Sequence, residues 1–269
     1  MKTLSHVSRF FILTYAFSWT LWIIAALTGQ HYTEFPAIVL FTLGGFGPSV
    51  VGIWLAYRWP DRGAPRSEAR DLWRRLIDAR RISVRWYAAI LALFPLTFGL
   101  AYGINALAGG AEPAMEGLNQ IRAQPLMLVA TLVIGLVGGP LSEELGWRGY
   151  ALDRMQARWS VWKANLLLSI IWWAWHLPLF FIKGTTQYRI GMGTVEFWLF
   201  LANIVPLTFQ MAAAYNANRR SVLSAVLLHL LFNFTMGLFF PVPVSFNAIL
   251  VLLTAVAAIV LLRWAAKPC

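Results

Sequence analysis

Cysteine is almost missing from this 269-residue chain, whose one cysteine, Cys269, is the last residue. An internal disulfide and a cysteine metal cluster are therefore excluded, and a thiol at this position is a poor nucleophile candidate. The sequence also lacks the G-x-S-x-G segment of serine hydrolases and the H-E-x-x-H helix of soluble zinc proteases. Any chemistry must therefore come from other groups.

Charged residues are scarce as well, at 12% of the chain, whereas hydrophobic residues make up 59% and the mean hydropathy is +0.64. These values exclude a soluble globular domain. About eight apolar segments have the roughly 20 residues that a helix needs to cross the hydrocarbon core. They cover residues 9–29, 36–57, 86–108, 125–147, 163–182, 195–215, 222–240 and 243–263.

An open sheet would leave its backbone groups unpaired in lipid, and the sequence shows no ten-residue alternation typical of a barrel. We therefore predict an all-α, polytopic membrane helix bundle of about eight transmembrane helices, in which residues 1–269 form a single integral membrane domain. The first segment is too long for the core of a signal peptide and has no clear cleavage site, so we expect it to remain as a spanning helix.

Acidic residues are half as frequent as basic ones, 11 against 22, which gives a net charge of +11. The basic residues follow the membrane and give no pattern typical of nucleic-acid binding. With a cytoplasmic amino terminus, all of the 22 Lys and Arg except Arg122, Lys183 and Arg189 fall on the inner side. The positive-inside rule then predicts that both termini are cytoplasmic.

Residues 60–84 form a cytoplasmic basic amphipathic loop in this topology. Pro60, Gly63 and Pro65 end the preceding helix, and Ser67 is a candidate cap for a new one. Four apolar side chains share one face of that helix: Leu72, Trp73, Leu76 and Ile77. Two interpretations stay open, namely an interfacial helix on the anionic inner leaflet and a basic loop that only fixes topology.

Polar side chains in or beside the predicted spans are the candidates for function, since an ionisable group in lipid costs about 2.5–3.5 kcal/mol. Glu143 and Glu144 lie near the cytoplasmic end of the fourth span. They are about 100° apart on a helix, and Arg148 follows Glu144 by four residues, the favourable order for an ion pair. Glu144 is therefore assigned the structural partner, and Glu143 faces the bundle interior.

The other candidates are His176 in the fifth span and His229 with Asn233 in the seventh. His229 and Asn233 share a face because they are four residues apart, and Trp172 lies one turn before His176. Taken singly, each histidine fits a core residue bonded to a carbonyl, and Glu144 with Arg148 fits an interfacial salt bridge. Together, a carboxylate, two imidazoles and an amide on three spans can activate a water and hold an oxyanion.

Three motifs at these residues resemble a known family. "EELGWR" matches E-E-x-x-x-R, "WAWHLPLFF" matches the F-x-x-x-H region, and "HLLFN" matches H-x-x-x-N. The chain resembles the CPBP (Abi) family of intramembrane proteases, which includes the type II CAAX prenyl endopeptidases and bacteriocin-processing or immunity proteins. The resemblance covers residues 125–240, the predicted catalytic core. One departure is Trp172, where the family usually has phenylalanine, so we expect stacking to survive in a narrower pocket.

The resemblance implies roles for six residues. Glu143 activates water, Glu144 and Arg148 support it, and His176, His229 and Asn233 complete the site. We expect peptide-bond hydrolysis by a water between Glu143 and His176, with the carbonyl polarised by His229 and Asn233. Glu143, His176 and His229 are also a candidate zinc-ligand set, so a metalloprotease stays open and no cofactor is certain.

The expected partners are the lipid bilayer and a protein or peptide substrate at the membrane, with no nucleic acid. A prenylated C-terminus, a leader peptide and a membrane-embedded segment remain open as substrates. Two other function classes also stay open: a non-enzymatic bacteriocin-immunity or partner-binding protein, and a proton-coupled transporter. The sequence shows none of the repeated halves typical of transporters. The enzyme hypothesis requires Glu143, His176, His229 and Asn233 to surround one cavity.

Overall fold

A computed structural model describes the backbone of residues 2–60 and 65–266. The predicted helix breaker Gly63 and the single cysteine, Cys269, lie outside this part of the chain. The described residues form helices and connecting turns, with one isolated bridge between His31 and Lys183 as their β-type pairing. The prediction of an all-α fold is therefore confirmed.

Fourteen α-helices make up the described chain. They are α1 Lys2–Leu27, α2 Ala37–Gly45, α3 Gly47–Arg58, α4 Pro65–Ile77, α5 Val84–Leu107, α6 Glu116–Ala123, α7 Met127–Leu136, α8 Ser142–Glu144, α9 Asp153–Gln156, α10 Val161–Trp175, α11 Thr186–Ile190, α12 Val195–Ala217, α13 Val222–Phe239 and α14 Val244–Ala265. Short 3₁₀ turns cover Ala79–Arg81 and Leu177–Phe181.

Seven helical stretches of the described chain are long and apolar enough to cross a membrane, and α2 and α3 together give an eighth if the bent pair is one span. The chain is therefore an integral membrane protein, and its number of long apolar helices is close to the predicted eight. Residues 36–57, predicted as one span, are two helices bent by 47°. The bend lies at Phe46, before Gly47 and Pro48 begin α3. Pro48 lacks an N–H and suits a first helical turn better than a helix interior.

The fourth span is longer than predicted. Met127–Gln156 forms one 30-residue stretch, in which α7, α8 and α9 are joined by two π-helical segments, Val137–Leu141 and Leu145–Leu152. We call it the glutamate helix. The prediction ended this span at residue 147 and placed Glu143 and Glu144 near its end, but the structure places them near its middle. The helix continues because Arg148 is buried and paired, so its charge does not end the span.

Close contact with α3 fixes the glutamate helix on one side. A Cβ on Gly146 would overlap the carbonyl oxygen of Pro48, and a Cβ on Gly52 would lie 2.9 Å from Gly146 Cα. Only glycine permits backbones this close. The bent α2–α3 pair is therefore packed directly against the segment that carries the two glutamates.

Helix α4 corrects the interpretation of residues 60–84. It begins at Pro65, so Ser67 lies inside its first turn instead of capping it. Leu72 and Leu76 are buried in the protein core, whereas Trp73 and Ile77 are 39% and 71% exposed. The predicted apolar face is therefore divided, because half of it packs on the protein and only the other half is available to lipid.

A buried arginine attaches α4 to the bundle. Arg75 Nη1 donates to the hydroxyl of Tyr215 at 2.7 Å and to Asp153 at 3.1 Å, and Nη2 donates to the carbonyl of Gly149 at 3.1 Å. Tyr215 in turn donates to Asp153 at 2.7 Å. These bonds join α4, the glutamate helix and α12. The cytoplasmic position of α4 and of both termini stays a prediction, as does the single domain over residues 1–269.

Candidate active site

Four of the six predicted site residues line one cavity of about 220 Å³: Glu143, His176, His229 and Asn233. They come from the glutamate helix, the end of α10 and α13. Most of the remaining wall is apolar, and it includes Trp22, Phe41, Trp175, Leu179, Phe200 and Phe232. The structure thus brings together the groups that the enzyme hypothesis requires, and it places Glu144 and Arg148 in the fully buried layer next to them.

Two tryptophans hold the Glu143 carboxylate. Trp172 Nε1 donates to Glu143 Oε2 at 2.6 Å, and Trp147 Nε1 donates to the same oxygen at 3.3 Å. An indole N–H is a donor only, so these bonds orient the carboxylate without supplying a charge. The other oxygen, Oε1, lies beside Gly139, which also lines the cavity.

These two hydrogen bonds do not follow from the sequence, which predicts only ring stacking for Trp172, in a position where the family usually has phenylalanine. The indole does contact both histidine rings, with centroid distances of 5.9 Å to His176 and 5.1 Å to His229. Trp147 follows Glu143 by four residues, so its helical spacing is the signal that could have revealed its contact.

Glu144 and Arg148 form the predicted ion pair. Arg148 Nη1 lies 2.9 Å from Glu144 Oε1 and 3.0 Å from Oε2. Both side chains have an exposed fraction of 0%, and they lie within the stretch Met127–Gln156, so the expectation of a salt bridge at a helix end is wrong. The Arg148 guanidinium also lies 4.3 Å from the centroid of the Trp172 ring, which compensates part of its lost hydration.

Glu144 has a second partner that sequence spacing could not reveal. His229 Nδ1 lies 2.8 Å from Glu144 Oε1, across 85 residues of chain. A carboxylate paired with arginine is an acceptor only, so Nδ1 is the donor. This bond fixes the orientation of the imidazole and leaves Nε2 for the cavity. Asn233 follows one turn later on α13 and lines the same cavity, as its spacing from His229 predicts.

His176 lies where α10 changes to a 3₁₀ turn. The α-helix ends at Trp175, and Leu177–Phe181 continue as 3₁₀ helix with Pro178 in its first turn. His176 Nδ1 donates to the carbonyl of Trp172 at 2.7 Å, because a carbonyl oxygen can only accept. This bond leaves Nε2 of His176 available to the cavity.

The described structure does not group the proposed zinc ligands. Within the described residues, no three His, Cys, Asp or Glu side chains are close enough together to hold a metal ion. Glu143, His176 and His229 share a cavity, however, and the Nδ1 bonds of the two imidazoles leave each Nε2 free. The zinc hypothesis therefore stays a prediction that metal removal can test.

Comparison with known proteins agrees with the motifs. Residues 124–235 match the family model described as type II CAAX prenyl endopeptidase Rce1-like. A protein of Methanococcus maripaludis, named CAAX prenyl protease 2, is 26% identical over 226 residues, which are 83% of this chain and 81% of that protein. Both findings support an intramembrane protease. The described site therefore lies in a segment that matches the Rce1-like type II CAAX prenyl endopeptidases, and the resemblance predicted from the three motifs is confirmed.

Proposed function

We propose that this protein hydrolyses a peptide bond of a membrane-associated substrate, using a water activated by Glu143. The observation that carries the proposal is the cavity in which an oriented carboxylate, two imidazoles and an amide meet. Such groups are rare within membrane spans because burying them there is costly, and those that do occur commonly mark functional sites. The family match and the related prenyl protease support the same reaction class.

The first step requires a base next to a water. Glu143 keeps Oε1 on the cavity side while Oε2 accepts from Trp172 and Trp147. Oε1 takes a proton from the water, and the water oxygen forms a bond to the carbonyl carbon of the scissile peptide. His176 Nε2 is a second acceptor for the same water, because Nδ1 is bonded to the Trp172 carbonyl.

The second step requires donors for the oxyanion that forms on the carbonyl oxygen. Asn233 supplies its amide N–H, and His229 supplies Nε2–H in its protonated form, while its Nδ1 stays bonded to Glu144. Glu143 then returns the proton to the peptide nitrogen, and the carbon–nitrogen bond breaks. The second proton of the water passes from the new carboxylic acid to the new amine, so the products are a carboxylate and an ammonium group, with one water consumed.

Glu144 and Arg148 act as supporting residues in this mechanism. Arg148 balances the negative charge of Glu144 inside the protein, and Glu144 orients His229. Among the substrates left open by the sequence, we favour a prenylated CAAX-type C-terminus. The reason is the name of the Methanococcus relative and the description of the matching family.

Glu143→Gln tests the base directly. Glutamine can accept from both indoles but cannot take a proton from water, so cleavage of a prenylated CAAX peptide should fall by about 10²–10⁴-fold. Folding and substrate binding should be unchanged. The measurement is single-turnover cleavage together with thermal unfolding in detergent, with Glu112→Gln on the exposed surface as control. Wild-type activity in Glu143→Gln would contradict the enzyme assignment.

Glu144→Gln should affect stability first. It leaves the buried Arg148 without its counter-charge, which should lower the free energy of unfolding by about 3–5 kcal/mol. Activity should fall only in part, because His229 can still donate to the amide oxygen of glutamine. Arg148→Ala should be destabilised as well. An inactive Glu144→Gln protein of wild-type stability would instead show that Glu144 is the base and Glu143 its support.

Metal removal distinguishes the two mechanisms left open by the sequence, a water activated by glutamate alone and a zinc-dependent hydrolysis. Because the three candidate ligands do not form one group, cleavage should persist in protein purified and assayed with a strong chelator. The metal content should be measured in the same samples. Loss of cleavage with the chelator, followed by recovery on addition of zinc, would refute the water-and-glutamate mechanism and restore the zinc hypothesis.

A further inference from the structure

Gly139 lies four residues before Glu143, in the first π-helical segment of the glutamate helix, and it is buried. A Cβ at this position would lie 3.4 Å from Asn233 Nδ2 and 3.9 Å from both Glu143 Oε1 and His229 Nε2. One point in front of the Gly139 Cα is therefore within 4 Å of polar atoms from three site residues. Helical π-segments are frequent at functional sites.

We propose that Gly139 positions the substrate: the main chain at the scissile bond lies against the Gly139 Cα, in the volume that a methyl group would fill. This inference rests on the proposed hydrolysis and names the surface on which it takes place. A carbonyl under attack must be about 3 Å from both the nucleophile and the oxyanion donors. The volume in front of Gly139 lies within 4 Å of the Glu143 carboxylate, the His229 imidazole and the Asn233 amide.

The glycine backbone cannot easily move away from a substrate. Its carbonyl accepts a hydrogen bond from Ser142 Oγ at 2.8 Å, and Ser142 is fully buried. Two residues later, Ser49 of α3 donates to the carbonyl of Leu141 at 3.1 Å. This bond holds the end of the π-helical segment against α3, so a side chain added at position 139 should stay in the cavity.

The position limits the substrate as well as placing it. Glycine allows a main chain to approach more closely than any other residue does. The peptide should therefore present extended backbone to Gly139, with the side chains that flank the scissile bond directed elsewhere. Gly139 therefore selects substrates by whether their main chain can reach it, and this selection needs no charged contact.

The test compares Gly139→Ala with Gly135→Ala. Gly135 is one turn earlier on the same helix, outside the cavity wall, and its added Cβ would make an ordinary 3.7 Å contact with Leu230. Both substitutions add one methyl to the same helix. We expect kcat/KM for a prenylated CAAX peptide to fall on the order of 100-fold in Gly139→Ala, mainly through kcat, because the reacting carbonyl is displaced by about 1 Å. Gly135→Ala should retain wild-type kcat/KM.

Thermal unfolding and a second substitution make the result unambiguous. The Cβ at position 139 has no contact shorter than 3.4 Å, so Gly139→Ala should unfold at the wild-type temperature or above, and Gly139→Ser should lose at least as much activity. Equal losses in both alanine variants, full activity in Gly139→Ala, or a lowered unfolding temperature would each overturn the inference. Failure of the proposed function would look different, since the wild-type protein itself would then not exceed Glu143→Gln in cleavage.

Discussion

The buried ion pair between Glu144 and Arg148 is the interaction on which the rest of the site depends. Both side chains are fully buried, and removing one partner of such a pair is strongly destabilising because it leaves a buried charge uncompensated. Here His229 bonds to Glu144, and the ring of Trp172 lies under Arg148. The pair therefore joins the glutamate helix to α13 and α10, the two helices that supply the histidines.

Neutral hydrogen bonds then orient the groups that face the cavity. Trp172 donates to Glu143, and its own carbonyl accepts from His176. A single tryptophan thus contacts the base, a histidine and the buried arginine. Because none of these contacts adds a net charge, they orient the buried Glu143 carboxylate without placing a second cation beside it.

Sequence alone predicted the membrane class, seven of the long apolar helices and the Glu144–Arg148 pair, because these follow from composition and helical spacing. It also named the four side chains that meet at the cavity. It did not predict that the fourth span extends to Gln156, because the sequence does not distinguish a buried, paired arginine such as Arg148 from an arginine in a loop. It also missed the Glu144–His229 and Glu143–Trp172 bonds, because contacts between helices distant in sequence depend on packing.

Helix α4 shows the same limit. Leu72 and Leu76 form one apolar face of the helix with Trp73 and Ile77, but hydrophobic periodicity does not show whether such a face packs against lipid or against protein. The structure divides it between the two, and Arg75 explains the attachment through its bonds to Tyr215, Asp153 and Gly149.

The central claim is that the scissile carbonyl is bound between Glu143 and Asn233. It is tested most directly by an experimental structure of the Glu143→Gln protein with an uncleaved prenylated CAAX peptide. We predict that the carbonyl oxygen lies about 2.7–3.1 Å from Asn233 Nδ2, with the carbonyl carbon facing the side chain at position 143. A peptide bound with its scissile bond outside this cavity, for example along the outer face of α1, would contradict the account.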